Sequence, residues 1–187
     1  MKILLTGRPG SGKSTVIEKF IESFSGEAIW VLTKEIRNRQ NERVGFRGIN
    51  ALGGEGIISH KTDIESDYVI GSNKVDLPKI DELFTKIISN VSSEKIIVLD
   101  EIGPIQLLSK NFQRELDQVF KNDSNLLATI HLQDQKVEKY KKDLNTVLVE
   151  INLENRDKLP GVLTTIFENI EQFDRLNIKS GIFLVSE

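Results

Sequence analysis

Residues 7–14 read Gly7-Arg8-Pro9-Gly10-Ser11-Gly12-Lys13-Ser14, a glycine-rich octapeptide that meets the pattern G-x-x-x-x-G-K-[ST] at every required position. Successive backbone N–H groups can turn inward around a polyanion only where no Cβ obstructs them, and Gly7, Gly10 and Gly12 meet that need. The mechanism also demands a context. The loop must leave a buried strand and open a helix, whose N-terminus adds partial positive charge at the same point. Both flanks comply. Residues 2–6 (K-I-L-L-T) read as a strand, and from Lys13 to about Phe24 the apolar Val16, Ile17, Phe20, Ile21 and Phe24 recur at helical spacing, with Gly26 placed to stop the helix.

A loop of this kind implies a specific division of labour around a bound triphosphate. Gly7, Arg8, Pro9, Gly10, Ser11, Gly12 and Lys13 line the phosphates, and the Lys13 ammonium bridges the β- and γ-phosphates. Ser14 ligates Mg²⁺, and the Thr15 hydroxyl lies near the α-phosphate.

The rest of the chain alternates strand and helix, the pattern of a mainly parallel sheet covered on both faces. Apolar runs at 28–33 (A-I-W-V-L-T), 95–99 (K-I-I-V-L), 126–130 (L-L-A-T-I) and 146–151 (T-V-L-V-E-I) predict buried strands. Residues 35–61 carry Gly45, Gly48, Gly53, Gly54 and Gly56 and predict an antiparallel hairpin excursion. Pro78 opens a helix with an apolar face of Ile80, Leu83, Phe84, Ile87 and Ile88. Further helices are expected at 111–120, at 134–143 and at 160–173, and the apolar 181–185 segment has no assigned neighbour.

Asp100-Glu101 follows the apolar run Ile96-Ile97-Val98-Leu99. In an open α/β sheet the carboxyl ends of the strands are where ligands bind, so Asp100 is the expected second protein ligand of Mg²⁺, a hard cation that prefers oxygen. A carboxylate directly after it can orient and deprotonate a water in line with the γ-phosphate, which assigns Glu101 as the catalytic base of a hydrolysis.

Composition sets the limits. At 187 residues the chain suits one domain, 1–187, with a single core. A net charge of −3 argues against broad nucleic-acid binding. There is no Cys, hence no disulfide framework, which suits a reducing cytoplasm. No 18-residue apolar run predicts a membrane span, and the apolar start at residues 3–5 is too short for a secretory leader.

Taken together, several segments resemble the small P-loop nucleoside-triphosphatases of archaea, bacteria and animals. Beside the phosphate loop these are Thr33-Lys34-Glu35-Ile36-Arg37, Arg43-Val44-Gly45-Phe46, Gly71 with Val75-Asp76-Leu77, Asp100-Glu101-Ile102-Gly103-Pro104-Ile105-Gln106-Leu107 with Ser109 and Phe112, Thr129-Ile130, and Glu154-Asn155-Arg156 before Leu159-Pro160. The resemblance implies a three-layer, RecA-like α/β fold of the additional-strand type, with residues 126–130 between the phosphate-loop strand and the acidic strand. It implies slow hydrolysis of ATP, GTP and other nucleoside triphosphates with little base preference, by a monomer or weak oligomer. Where relatives often carry Met or Glu, this chain has Ile105-Gln106, so no carboxylate is expected there.

Secondary candidates follow from position. Arg156, at the carboxyl edge before the last helix, can neutralise charge on the γ-phosphate, although a surface salt bridge explains it equally well. Thr129 is either a polar sensor of the attacking water or a plain strand residue. Arg37, Arg43 and Phe46 lie in the glycine-rich excursion, which is expected to cover the nucleotide. Two other readings stay open at this stage: a nucleoside or nucleotide kinase, and a nucleotide-switched protein- or RNA-binding module.

Overall fold

Strand β1 (Lys2–Thr6) is buried along its whole length, and its alternate side chains feed two separate layers. The computed structural model describes residues 1–89 and 95–170. Ile3 and Leu5 pack with Val16, Ile17 and Phe20 of α1 (Lys13–Ser23) and Leu163 and Phe167 of α6 (Leu159–Glu168). Leu4 faces the other way, toward Ile80, Leu83, Phe84, Phe112 and Leu116. Those residues belong to the helical segment α2 (Leu77–Ile80), a π-helical turn (Asp81–Thr85) and α3 (Lys86–Ser89), and to α4 (Lys110–Lys121). The expected apolar face of the Pro78 helix is fully buried.

The remaining strands are β2 (Ala28–Arg37), β3 (Arg43–Asn50), β4 (Glu55–His60), β5 (Val69–Ile70), β6 (Asn73–Val75), β7 (Ile96–Ile102), β8 (Asn125–Ile130) and β9 (Thr146–Glu150). With β1 they form, among the described residues, one nine-stranded sheet in the order β5-β6-β4-β3-β2-β7-β8-β1-β9. From β2 to β9 every pairing is parallel, and from β2 to β5 every pairing is antiparallel. The three-layer α/β fold is therefore the expected one, and β8 is the additional strand between the phosphate-loop strand and the acidic strand.

Several boundaries differ from the sequence reading, each for a physical reason. Helix α1 ends at Ser23, before Gly26: Phe24 turns extended and its ring stacks on Phe20 at 5.1 Å. A Cβ on Gly26 would meet that ring at 2.5 Å. The glycine-rich hairpin is present, and its strands extend the main sheet. Gly48 lies within β3 because a Cβ there would stand 2.9 Å from Leu83 and 3.2 Å from Phe84, and close packing of the π-helical turn outweighs the weak strand propensity of glycine, about 0.5–1 kcal/mol. Residues 134–143 form a 3₁₀ turn (Gln135–Val137), capped by Asp134, and the short α5 (Glu138–Lys141). The end of the expected 160–173 helix and the 181–185 segment lie outside the described residues.

Two strands run further than expected, and both extensions bear on the site. Strand β7 contains Asp100 and Glu101 within it and continues to Ile102. Its pairing with β8 passes from Leu99↔Ala128 to Ile102↔Ile130, so three residues of β7 oppose two of β8 and the acidic pair sits on a bulge. The Asp100–Glu101 peptide is cis. Strand β2 pairs with β7 as far as Leu32↔Asp100, and from Thr33 to Arg37 it leans on β3. Because β1, β2, β7, β8 and β9 are parallel, their carboxyl ends deliver the phosphate loop, residues 33–37, the acidic pair, Thr129 and the turn after β9 to one edge of the sheet.

Candidate active site

The phosphate loop takes the backbone shape its glycines allow. Gly7, Gly10 and Gly12 have φ of 145°, 78° and 101°, values that side chains resist. A Cβ on Gly7 would also stand 2.6 Å from the Ile151 carbonyl oxygen and 3.0 Å from Ser11 Oγ. Helix α1 begins after Gly12 with no side-chain hydrogen bond capping its first turn, so its leading N–H groups point into the loop. The Lys13 ammonium folds back over the loop and donates to the carbonyls of Gly7 at 2.9 Å and Arg8 at 3.2 Å. Ser11 Oγ is buried without a protein partner. Arg8, Pro9 and Gly10 form the exposed tip, and Ser14 and Thr15 are exposed on the first turn of α1.

Asp100 is 3% exposed, and its carboxyl accepts a 2.6 Å hydrogen bond from Thr129 Oγ1 and another from the Ser14 hydroxyl. Burial raises its proton affinity above the ordinary carboxylate range; the two hydrogen bonds pull the other way, as does Lys34, whereas Glu18 adds to the rise. Lys34 and Glu18 form a half-exposed ion pair at 2.5 Å. A buried acid whose ionised form is disfavoured by desolvation, adjoining a hydroxyl at a helix start, supplies two hard oxygen donors to a divalent cation that would offset the burial cost. Ser14 and Asp100 therefore fit Mg²⁺.

Glu101 is half-buried beside this pair. Desolvation, and then the negative charge of Asp100, raise its proton affinity above that of a free glutamate, while Lys13 and Arg43 oppose the rise. Its carboxyl carbon lies 3.1 Å from the point where a Cβ on Gly103 would stand, and Gln106 Oε1 lies 3.4 Å from that same point. Gln106 is 2% exposed and donates from Nε2 to Thr33 Oγ1 at 3.2 Å, tying the acidic segment to the extended end of β2. Arg43 pairs with Glu35 at 3.2 Å and lies over the Phe46 ring at 5.2 Å; Arg37 bonds the same glutamate.

The fold thus brings Lys13, Ser14, Asp100 and Glu101 together, with Thr129 as the buried donor that fixes Asp100. Arg156 lies against the phosphate loop at Gly12, the residue before Lys13. Its Cδ lies 3.2 Å from the point where a Cβ on Gly12 would stand, and its Nε is 3.9 Å from Asp157. Gln106, Lys34 and Glu18 were not singled out as site residues in the sequence. The signal for the first two was their place in the segments Thr33-Lys34-Glu35 and Asp100 to Leu107; Glu18 is one helical turn after Ser14, which puts it on the same side of α1.

A strand, phosphate loop and helix facing a bulged acidic strand, with another strand between them, define a P-loop NTPase, and comparison with known proteins agrees. A family model described as NTPase matches residues 2–164. A nucleoside-triphosphatase THEP1 of Thermotoga maritima is 35% identical over 170 residues, covering 90% of this chain and 96% of the relative. Among solved structures, THEP1 from the hyperthermophile Aquifex aeolicus superposes with a TM-score of 0.82 at 32% identity, covering 90% of this chain and 100% of that one. A human cancer-related nucleoside triphosphatase superposes with a TM-score of 0.71 at 25% identity, covering 90% and 98%. The chain belongs to the NTPase family, as the motifs had implied, and the expected enzyme class is upheld. Among the described residues no helix is long and apolar enough to cross a membrane.

Proposed function

We propose that this protein hydrolyses the terminal phosphate of Mg²⁺-bound ATP, GTP and other nucleoside triphosphates to the diphosphate and phosphate, with broad base specificity. The observation that carries the reading is the half-buried Glu101 carboxylate, next in the chain to the Asp100 that Ser14 bonds and within reach of the Lys13 charge. The loop amides and the start of α1 cradle the phosphates. Lys13 exchanges the carbonyls of Gly7 and Arg8 for phosphate oxygens, a swap that costs little because both sets are oxygen acceptors. Ser14 and Asp100 would hold Mg²⁺, which when bound offsets phosphate charge and polarises the reacting phosphoryl group. Glu101 orients a water and takes its proton as the oxygen attacks; its raised proton affinity makes it a stronger base than an exposed glutamate.

The β2–β3 excursion, residues 33–37 with β3, is the arm that would cover the nucleotide. Arg43, whose charge reaches Glu101, is the best candidate of that arm for contact with the nucleotide. The reading includes a single-domain protein acting in the cytoplasm on free nucleotides as a monomer or weak oligomer, without nucleic acid. A phosphate-release assay across four nucleotides, with Mg²⁺ and with a chelator, tests it. Comparable release from all four that vanishes with the chelator is expected. ATP-dependent phosphorylation of an added nucleoside faster than hydrolysis would make the protein a kinase instead, and a rate that rises steeply only with a protein or RNA partner would make it a switch.

A further inference from the structure

Along the carboxyl edge the strands follow in the order β7, β8, β1, β9, so the acidic pair and the turn after β9 flank the phosphate loop from opposite sides. That turn is rigid. Asn152 Oδ1 accepts from the backbone N–H groups of Glu154 at 2.8 Å and Asn155 at 3.0 Å. Asn155, 3% exposed, accepts from the Asn152 N–H at 3.0 Å and donates its amide to the Glu150 carbonyl at 2.8 Å. Two interlocked asparagines thus hold a short stretch of chain in one conformation.

What they support is unusual for a surface turn. Leu153 is 70% exposed, and the stem of Arg156 lies along the loop at Gly12, where a glycine with φ of 101° leaves room for it. The Arg156 head group has a long, exposed contact to Asp157, which holds it weakly. A planar guanidinium on a fixed turn, with an exposed apolar side chain three residues earlier on the same turn, suits a flat, uncharged ring: arginine stacks on aromatic faces, whereas a lysine ammonium acts as a point charge. The cations whose charge reaches Glu101 are Lys13 and Arg43.

We infer that Arg156 and Leu153 form the platform for the nucleoside end of the substrate, with the guanidinium plane stacking on the base. This rests on the proposed function, because a triphosphate whose terminal phosphate lies toward Glu101 extends its nucleoside in the opposite direction along the edge, toward β9. It moves Arg156 from the γ-phosphate to the base. A stacking surface offers its face to a π-system that every base has and reads none of the hydrogen-bonding edges, so the platform accepts purines and pyrimidines alike.

The test compares Arg156→Ala and Arg156→Lys with the unaltered protein on ATP, GTP, CTP and UTP, and uses inorganic tripolyphosphate, which has no nucleoside, as a competitive inhibitor. The expected result is a KM raised about tenfold for all four nucleotides in both variants, kcat within about twofold, and an unchanged tripolyphosphate Ki. Leu153→Ser raises KM by a smaller factor, about two- to threefold. A fall in kcat at constant KM would return Arg156 to the terminal phosphate. A tripolyphosphate Ki that rises with KM, or rescue by Arg156→Lys, would make it a phosphate contact, and an unchanged KM would leave it outside the site; each overturns the platform. Failure of the unaltered protein to bind or hydrolyse any of the four nucleotides is a separate result, visible before any variant is made, and refutes the proposed function itself.

Discussion

Replacing Glu101 by glutamine isolates the step on which hydrolysis depends. The two side chains are the same size, so the contact with Gly103 and the neighbourhood of Gln106 stay intact. What is lost is the ability to take a proton. A positioned general base contributes roughly 10²- to 10⁴-fold, equivalent to about 3–5 kcal/mol of barrier, so Glu101→Gln should lower kcat by that factor. Binding should persist. Glu101 already feels the negative charge of Asp100, and a triphosphate adds more; removing one like charge leaves affinity unchanged or up to about tenfold tighter. Folding gives an internal control. A carboxyl whose proton affinity is raised in the folded state is destabilising when ionised, so at neutral pH the glutamine variant should melt no lower than the unaltered protein. Single-turnover phosphate release, equilibrium titration with a fluorescent nucleotide, and a thermal melt read the three quantities. Turnover within about threefold of normal, or loss of binding in parallel with turnover, would refute the assignment.

Three further outcomes are expected. Phe84 is fully buried and meets Phe112 edge-on at 5.9 Å, so Phe84→Ala should cost about 3–5 kcal/mol and lower the melting temperature by roughly 6–20 °C, while molecules that remain folded keep their KM. The combined Arg37→Ala and Arg43→Ala variant should weaken nucleotide affinity, lower turnover or both, measured by the same titration and release assays; no change in either would remove the β2–β3 arm from the site. At Asp117 burial works to raise proton affinity, but hydrogen bonds from Lys139 and Tyr140 and the nearby lysine charges prevail and lower it. The stability this contributes is present above the ordinary carboxylate range and is lost as pH falls through the lowered value, so Asp117→Asn should melt about 1–2 °C lower at neutral pH and converge with the unaltered protein in acid.

The elements legible in the sequence are those in which local pattern and tertiary demand agree. Strand β1, the loop and α1 were readable nearly to the residue because apolar period, glycines and the lysine-serine pair reinforce one another over 22 residues, Lys2 to Ser23. The buried face of the helix after Pro78 was equally plain. What could not be read were features that two distant segments create together. Strand β2 runs to Arg37 because β3 continues to pair with it, although Lys34 and Glu35 break the apolar run. Strand β7 extends through Asp100 and Glu101 because β8 accommodates a bulge there. Thr129 was ambiguous because a β-branched residue at a strand end looks the same whether or not a carboxylate faces it; its 2.6 Å bond to Asp100 is a contact that the sequence reading did not include. Gln106 finds its partner 73 positions earlier in the chain, a separation at which periodicity carries no information.

The far border of the sheet has a consequence of its own. Among the described residues the outermost strand on that side, β5, is two residues long, and β6 beside it is three, although Tyr68 and Val69 there are about half exposed. A stranger's extended chain arriving at that rim would find scarcely one repeat of unpaired donors and acceptors, too little to nucleate a ribbon between molecules. Strands this short at the β5 rim keep so broad a ladder from serving there as a template for fibrils.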